Sequence, residues 1–323
     1  MSGNLDLAFV LDCTLSMTNH IRKARERISD IVTSITRAQN SGSSDVRLAL
    51  VQFRDHHRSS DYLVKVQDFT NLKEMKQALD NCAVGSGHDF PEGVTCGLER
   101  AVKLDWQSES RICVLVTDAP PHGLGDAHIA DDYPNGCPDG HDPIQLANVL
   151  GEKGITLHLL AVKTNRWQEF YMALTWITGG LYIPLASAGN MADIIIGSAK
   201  EAMSLQKLKK TVKDKVKKNI DPFSKEMNPK LVSEELHKQL EEQGIKVFQL
   251  NFPDGDLPKM TGRAKRYARF DQLSEIKPLF RVYDGTAEST SRKVNLEEKE
   301  ETVTLLQIQR MVQQAFLMCK AEA

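Results

Sequence analysis

The sequence lacks the features that mark secreted and membrane-spanning chains. It opens with MSGNLDLAFVLD, which has neither a basic leader nor a cleavage site, and its longest apolar runs are too short to span a bilayer. Its six cysteines are too few for a disulfide scaffold, and Cys113 falls inside an apolar segment that we expect to be a core strand. These absences predict reduced thiols and a cytoplasmic protein.

The chain also lacks a strong excess of charge of either sign. With 41 Lys and Arg against 43 Asp and Glu, the formal net charge is −2, which argues against nucleic acid or a membrane as the main partner. The distribution is uneven, because residues 1–200 carry an excess of six acidic side chains and residues 201–323 an excess of four basic ones. We therefore predict two units, residues 4–203 and residues 204–323.

Sequence motifs for nucleotide binding are missing as well. No Gly-x-Gly-x-x-Gly segment opens a helix and no P-loop lysine is present, so we do not expect a nucleotide cofactor. No serine or cysteine nucleophile is matched by a motif to a histidine base. The sequence therefore predicts a protein without enzymatic activity.

What the sequence does contain is a regular alternation of strands and helices up to residue 200. The apolar segments are LAFVLD, DVRLALVQFRD, RICVLVTD, ITLHLLAV and GLYIPL, and segments of helical periodicity separate them. Strands that are apolar throughout are typical of a parallel sheet covered by helices on both faces. We predict a doubly wound, mostly parallel α/β fold with helices on both faces, followed by a smaller mixed α/β tail.

Acidic and hydroxyl side chains follow two of these strands. Asp12 ends the first strand, and Thr14 and Ser16 follow at alternate positions, which point the same way in an extended loop. Asp118 ends LVTD at the same edge of the sheet, where ligands bind in this fold class, and the loop GSGHDFPEG carries Asp89 within reach. Converging oxygens suit a hard cation such as Mg²⁺. The sequence therefore predicts a metal site made of Asp12, Thr14, Ser16, Asp89 and Asp118.

These residues resemble a known family. The Asp-x-Thr-x-Ser segment, the glycine-rich loop with Asp89 and the strand-end Asp118 are similar to the three loops of the metal-ion-dependent adhesion site of von Willebrand factor A domains. The segments DAPPHGLGD, DDYPNGCPDGHDP and IIIGSAKE further resemble the A domain that accompanies atypical alpha-kinases. The resemblance covers about residues 4–200 and implies a Rossmann-like domain that binds Mg²⁺ or Mn²⁺ and engages a protein partner through it.

Two positions depart from the usual pattern of this family. Thr14 stands where serine is commoner, but it offers the same oxygen. Asp89 stands where integrin-like domains have threonine, so three carboxylates would leave a net charge of about −1 around a divalent ion. We therefore expect firm metal binding without recruitment of the partner by a single acidic ligand. His88 adds a titratable group beside Asp89.

The loop YPNGCPDGHDP allows two interpretations. Cys137, Asp139, His141 and Asp142 could form a second metal site. Alternatively, the loop packs over the main site and Asp142 caps the helix that begins at Pro143, a favoured first helical residue. We favour the second interpretation.

The remaining titratable side chains near the predicted site receive no role in metal binding. Glu92 would lie in the first turn of its helix and suit the helix dipole. His122 is interpreted as a histidine at the rim of the site, and Asp126, Asp131 and Asp132 as solvated loop charges.

The tail is less informative. The segment LQKLKKTVKDKVKK has an apolar stripe among lysines, so the basic helix 205–218 is either a solvated linker or a helix that binds an anionic membrane or a partner. GIKVFQLNFP and LFRVYDG are expected strands, and TVTLLQIQRMVQQAFLMCKAE an expected helix. Neither a glycine-rich ATP loop nor a zinc-binding cysteine cluster is present, so we expect no kinase domain here.

These observations predict a metal-dependent protein-interaction module. The alternative is a regulatory part of an alpha-kinase, a serine/threonine protein kinase system, whose kinase domain lies outside this chain.

Overall fold

The structure is a computed structural model that describes residues 5–38, 46–56, 61–85, 89–125, 130–162, 165–185, 190–221, 224, 226–250, 257–282 and 300–322. Its centre is a six-stranded sheet. The strands are β1 (Leu5–Asp12), β2 (Val46–Phe53), β3 (Val64–Thr70), β4 (Ser110–Thr117), β5 (Thr156–Val162) and β6 (Tyr182–Leu185). Their order is β3-β2-β1-β4-β5-β6, and all neighbours are parallel except β2 and β3. The predicted doubly wound α/β fold is confirmed.

Helices cover both faces of the sheet, as the apolar strands require. They are α1 (Thr18–Ala38), α2 (Leu72–Asp80), α3 (Val94–Val102), α4 (Pro143–Glu152), α5 (Gln168–Ile177) and α6 (Met191–Gln206). On one face α1 buries Ile21, Ile28 and Ile35, which recur at helical spacing, against the sheet and α6. The other face packs against α3, α4 and α5.

The topology gathers the ends of three strands at one edge. β1 lies between β2 and β4, with Asp12 opposite Phe53 and Leu11 opposite Val116. The chain leaves β1 toward β2 on one side, while β4 lies on the other, which makes this edge a switch point. The loops after β1, β2 and β4 therefore meet.

The edge strand β3 has no counterpart among the sequence predictions. It pairs antiparallel to β2 and is only half-buried, and Val66 is 47% exposed. An edge strand with one solvated face carries polar residues, so VKVQDFT shows no continuous apolar run.

The tail is mainly helical. Its elements are α7 (Lys209–Asn219), α8 (Pro229–Glu242), α9 (Gly262–Tyr267), α10 (Leu273–Ile276) and α11 (Leu305–Ala321), with the antiparallel pair β7 (Lys246–Phe248) and β8 (Glu300–Thr302). The strand predicted in GIKVFQLNFP is confirmed over Lys246–Phe248, and the predicted final helix is confirmed. The strand predicted at LFRVYDG is wrong over residues 279–282, because Lys277–Leu279, with Pro278 at their centre, form a 3₁₀ turn and residues 280–282 form no strand.

The apolar stripe of the basic helix is buried inside the protein. Leu205, Leu208, Val212 and Val216 pack with residues of α8 and α11 in one apolar cluster. Because this packing covers the apolar face, the segment is not a solvated linker. The same face would have to be exposed for membrane binding, so the packing argues against that interpretation as well. None of the helices in the described part of the chain has the length and apolarity to cross a bilayer.

Tail residues also pack directly on the sheet domain. Tyr267 and Leu273 belong to the same apolar cluster as α3, α4 and α5. Arg310 of α11 donates to both carboxylate oxygens of Glu201 in α6 at 3.3–3.4 Å, and its Nε donates to the Gly179 carbonyl at 2.9 Å. The division of the chain at residue 203 stays a prediction.

Candidate metal centre

Asp12 lies at the centre of the strand-end edge and is fully buried. The backbone N–H and hydroxyl of Thr14 donate to its Oδ1 at 3.0 and 2.6 Å, and the Thr117 hydroxyl donates to Oδ2 at 2.9 Å. Burial raises the pKa of Asp12 to about 6, the hydrogen bonds from Thr14 oppose the rise, and the Asp118 charge adds to it. The carboxylate is held in one orientation at a cost in charge burial.

Four of the five predicted ligands form one hydrogen-bonded chain. Thr14 Oγ1 lies 3.1 Å from Ser16 Oγ, and the Ser16 hydroxyl donates to Asp118 Oδ1 at 3.0 Å. Thr14 makes no capping hydrogen bond with its side chain, so helix capping does not account for this segment. Burial decreases along the chain, from Asp12 and Thr14 inside to the exposed Ser16. The oxygens therefore form a set that opens to solvent.

The fifth predicted ligand, Asp89, lies in a second group. Its Oδ2 accepts from the Asp132 N–H at 2.6 Å, and one oxygen each of Asp89 and Asp55 and one nitrogen of His122 lie within 4.8 Å of one another. Its Oδ1 is buried and has no hydrogen-bond partner among the described residues. Burial raises the pKa of Asp89, the Asp132 N–H opposes the rise and the charge of Asp55 adds to it. Residues 86–88, which include His88, lie outside the described residues.

Glu92 links the two groups, and the sequence interpretation of this residue was wrong. It lies before α3 begins and is only 6% exposed, with Oε2 unpaired within the described part of the chain. Burial, together with the charges of Asp12, Asp55, Asp118 and Asp89, raises the pKa of Glu92 to about 10. Its position three residues after Asp89 in a short loop was the only signal in the sequence.

Backbone contacts fix this loop against two strand ends. The Glu92 N–H donates to the Pro120 carbonyl after β4 at 3.0 Å, and the Gly93 N–H donates to the Arg54 carbonyl after β2 at 3.1 Å. A Cβ on Gly93 would lie 2.3 Å from that carbonyl oxygen, so only glycine allows the approach. The loop is thereby held over the edge where Asp12 ends β1.

His122 is buried, which corrects its assignment to the rim. Only 1% of it is exposed, and its Nε2 and Nδ1 lie 2.9 Å from Asp55 Oδ1 and 2.8 Å from Asp131 Oδ1. Burial alone would lower the pKa of His122, but the bonds to Asp131 and Asp55 outweigh it and raise the pKa to about 9. The imidazolium therefore neutralises carboxylates that the ion would otherwise have to balance.

Asp131 is likewise no solvated loop charge. Besides His122, it accepts from the Gly123 and Tyr133 N–H groups at 2.8 and 3.0 Å, and its side chain is 5% exposed. Asp132 is exposed, and Asp126 lies outside the described residues.

The predicted helix cap is confirmed. Asp142 accepts from the Ile144 and Gln145 N–H groups at 2.8 and 3.2 Å, and Leu273 N–H donates to its other oxygen at 2.7 Å. Asp142 is therefore not available as a ligand, and the second metal site cannot have the composition considered from sequence.

The donor set at the strand ends fits a hard divalent ion. Asp12, Thr14, Ser16 and Asp118 supply only oxygen, the ligand type that Mg²⁺ and Mn²⁺ prefer. Glu92 and Asp89 each have one buried carboxylate oxygen that finds no hydrogen-bond partner among the described residues. Raised carboxyl pKa values are the expected result of crowding acids where a cation would compensate them.

Comparison with known proteins identifies the class of protein. The chain matches the von Willebrand factor A domain family over residues 6–186, which is more than half of its length, and it belongs to that family. It is 29% identical over 139 residues to alpha-protein kinase vwkA of Dictyostelium discoideum, a match covering 42% of this chain and 22% of that one. The chain thus spans about a fifth of the length of this relative.

The comparison also matched two solved structures. The pilus adhesin SpaC of Lactobacillus rhamnosus GG matches with 14% identity and a TM-score of 0.45, over 62% of this chain and 31% of that one. Proximal thread matrix protein 1 from the mussel byssus, with a zinc-occupied MIDAS motif, matches with 19% identity and a TM-score of 0.34, over 50% of this chain and 36% of that one.

Proposed function

We propose that this chain is a metal-dependent protein-interaction module. It binds Mg²⁺ or Mn²⁺ through the predicted ligand set and engages a protein partner at the same face. The observation that carries the proposal is the hydrogen-bonded oxygen chain from buried Asp12 to exposed Ser16 at the strand ends. Bound there, the ion would supply a positive charge that offsets the crowded carboxylates.

The ligand roles follow from the two groups of side chains. Asp12, Thr14, Ser16 and Asp118 would hold the ion directly or through water. Asp89 lies in the group with Asp55 and His122, and it would be the fifth ligand. Its Oδ1 is buried and has no partner in the part of the chain that the structure describes, which supports this role, because such an atom is costly unless a cation or water satisfies it.

Exposed apolar side chains beside the oxygens support a protein partner. Leu15, between two of the predicted ligands, is 58% exposed, and Phe90, next to Asp89, is 45% exposed. Apolar groups beside a few polar ones are typical of the centre of a protein interface. Because three carboxylates leave negative charge around the ion, contact through these apolar side chains is a better source of affinity than an acidic ligand.

A comparison of binding variants tests this function. Immobilised wild-type protein is compared with Asp118→Asn, Leu15→Ser and Phe90→Ser in Mg²⁺, using Leu231→Ser as the matched control, since Leu231 is equally exposed (52%) on α8. We expect the wild type and Leu231→Ser to retain a set of bound proteins. Asp118→Asn, Leu15→Ser and Phe90→Ser should lose this set. If all variants retain the same proteins, the strand-end face is not the interaction site.

A second candidate function is regulation of an alpha-kinase. The observation that favours it is the 29% identity to vwkA over 139 residues. Here the proposed metal site would dock the chain onto a kinase supplied by another polypeptide. A phosphorylation assay tests this function by adding the wild-type protein, or Asp118→Asn as control, to an alpha-kinase. If neither the wild type nor the variant changes the rate of phosphorylation, regulation of that kinase is excluded.

A further inference from the structure

A second group of metal-ligating side chains lies apart from the carboxylates. It contains one imidazole, two thiols and one carboxylate: His56, Cys96, Cys137 and Asp139. One ligand atom from each lies within 4.8 Å of all the others. Neither the proposed function nor the family comparison gives this group a role.

The distances within the group match the edges of a small tetrahedron. Cys96 Sγ lies 3.2 Å from His56 Nε2, 3.3 Å from Cys137 Sγ and 3.6 Å from Asp139 Oδ2, and Cys137 Sγ lies 3.6 Å from His56 Nε2. Tetrahedral zinc with bonds of about 2.3 Å to sulfur and about 2.0–2.1 Å to nitrogen would place ligand atoms about 3.6–3.8 Å apart. A few tenths of an ångström of outward movement would therefore enclose the ion.

The chemistry of the donors selects the metal. Thiolates are poor ligands for Mg²⁺ or Ca²⁺, whereas two thiolates with imidazole and carboxylate suit zinc. Zinc is not reduced or oxidised in such a site, and its binding releases the two thiol protons to solvent. Four protein ligands leave no open position, as in structural zinc sites.

Three separate segments of the chain bring the ligands together. His56 follows β2, Cys96 is the buried third residue of α3, and the other two lie in the loop between β4 and α4. That loop turns at Gly136 and Gly140, both with positive φ, on either side of Cys137 and Asp139. The turns present both side chains toward α3.

Hydrogen bonds around the ligands support the same geometry. The Gly140 N–H donates to the Cys137 carbonyl at 3.0 Å and closes the turn that holds Cys137 and Asp139. Tyr133 packs edge-on against the His56 ring with centroids 5.5 Å apart, and its hydroxyl donates to the His56 carbonyl at 3.0 Å.

We propose that His56, Cys96, Cys137 and Asp139 bind one structural zinc ion that fastens the loop between β4 and α4 to β2 and α3. The same loop carries Asp131, which binds His122, and Asp132, whose N–H binds Asp89. Zinc would thus act at a distance on the carboxylate site by holding the loop that completes it.

Metal analysis of untagged protein, purified without chelator, tests the proposal. We expect about one zinc per chain in the wild type, and none in Cys137→Ser. Cys82→Ser is the matched control, because Cys82 Sγ lies 3.2 Å from Cys13 Sγ but no metal-ligating group of three or more surrounds that pair among the described residues. It should keep its zinc.

Cobalt substitution provides a second measurement that does not depend on removing a buried thiol. Apo protein loaded with Co²⁺ should show the visible bands of tetrahedral cobalt and sulfur-to-cobalt charge transfer in the near ultraviolet. In Asp139→Asn, a change at an exposed position, we expect the bands to shift and zinc affinity to fall by more than about tenfold. Thiol titration of the unfolded protein distinguishes zinc from a Cys96–Cys137 disulfide.

Three results would overturn the proposal. One is wild-type protein without zinc that gives no tetrahedral cobalt spectrum. Another is zinc retained in Cys137→Ser. The third is a thiol count two lower in wild type than in reduced protein, with the deficit absent from Cys137→Ser, which would make the pair a disulfide.

Discussion

Magnesium should stabilise this protein more at pH 8 than at pH 5. The reason is the buried carboxyl of Asp12, because burial raises its pKa from 3.8 to about 6. Because the folded pKa lies above the unfolded one, this group's contribution to stability is fully present below about pH 4 and is lost as pH rises through 6. The loss for the metal-free protein amounts to about 3 kcal/mol from Asp12.

Metal binding opposes this loss because the ion requires the ionised carboxylate. With 1 mM Mg²⁺ and a dissociation constant on the order of 10⁻⁵ M at pH 8, the gain in the free energy of unfolding is about 2.7 kcal/mol. At pH 5 Asp12 is about nine-tenths protonated, so the apparent affinity falls about tenfold and the gain to about 1.4 kcal/mol. At roughly 2 °C per kcal/mol for a chain of this size, the shifts are about 5 °C and about 3 °C.

Thermal unfolding at both pH values, with Mg²⁺ or with EDTA, measures the two shifts. The measurements use protein whose zinc content is known. A repeat with EGTA in place of EDTA separates the effect of magnesium from the effects of other ions. Asp118→Asn is the control, because it removes a predicted ligand without touching Asp12, and it should abolish both shifts. An equal or larger shift at pH 5 in the wild type would refute the reasoning, and no shift at either pH would refute the metal site.

Three further predictions concern single side chains. Burial raises the pKa of Glu92 from 4.5 to about 10, so stability is lost as pH rises between these values; Glu92→Gln should therefore raise the melting temperature of the metal-free protein at pH 7 and flatten its decline toward pH 10, which a thermal scan over pH measures. Arg310→Met leaves the buried Glu201 without its cationic partner, and denaturant unfolding should show a loss of about 3–5 kcal/mol, smaller when Glu201→Leu is added. Asp89→Thr should weaken Mg²⁺ binding in calorimetry and strengthen acetate binding in saturating Mg²⁺; unchanged metal affinity would remove Asp89 from the ligand set.

The strand ends were predictable because apolar continuity is a strong and local signal. β1 and β4 are buried on both faces, so residues 7–11 and residues 112–116 are continuously apolar shortly before Asp12 and Asp118. Parallel strands end at one edge, and this rule alone predicts that Asp12 and Asp118 lie side by side. The hydrogen-bonded chain through Thr14 and Ser16 is consistent with that placement.

The environment of the loops was not predictable, because tertiary contacts create it. Asp131 and His122 are polar residues in a Gly- and Pro-rich stretch, and nothing local distinguishes a buried pair from two solvated side chains. Glu92 is polar and precedes a helix, yet the ends of β2 and β4 enclose it. β3 was missed because its exposed face carries polar residues.

The thiol group shows the same limit. The sequence marked Cys137 and Asp139 as candidate ligands, because they lie close together in one loop. The other two members of the group stand far earlier in the chain, Cys96 by 41 residues and His56 by 81 residues relative to Cys137. Only the packing of α3 on β2 brings them within reach.

The charges around the carboxylate site determine what kind of partner it can bind. His122 stays protonated below about pH 9 and pairs with Asp55 and Asp131, so these two carboxylates are largely occupied within the protein. The three predicted carboxylate ligands then outweigh a divalent ion by one charge, so an incoming Glu or Asp meets net repulsion. Under the proposed function, affinity for a partner would therefore come from the apolar side chains that the same loops expose, Leu15 and Phe90.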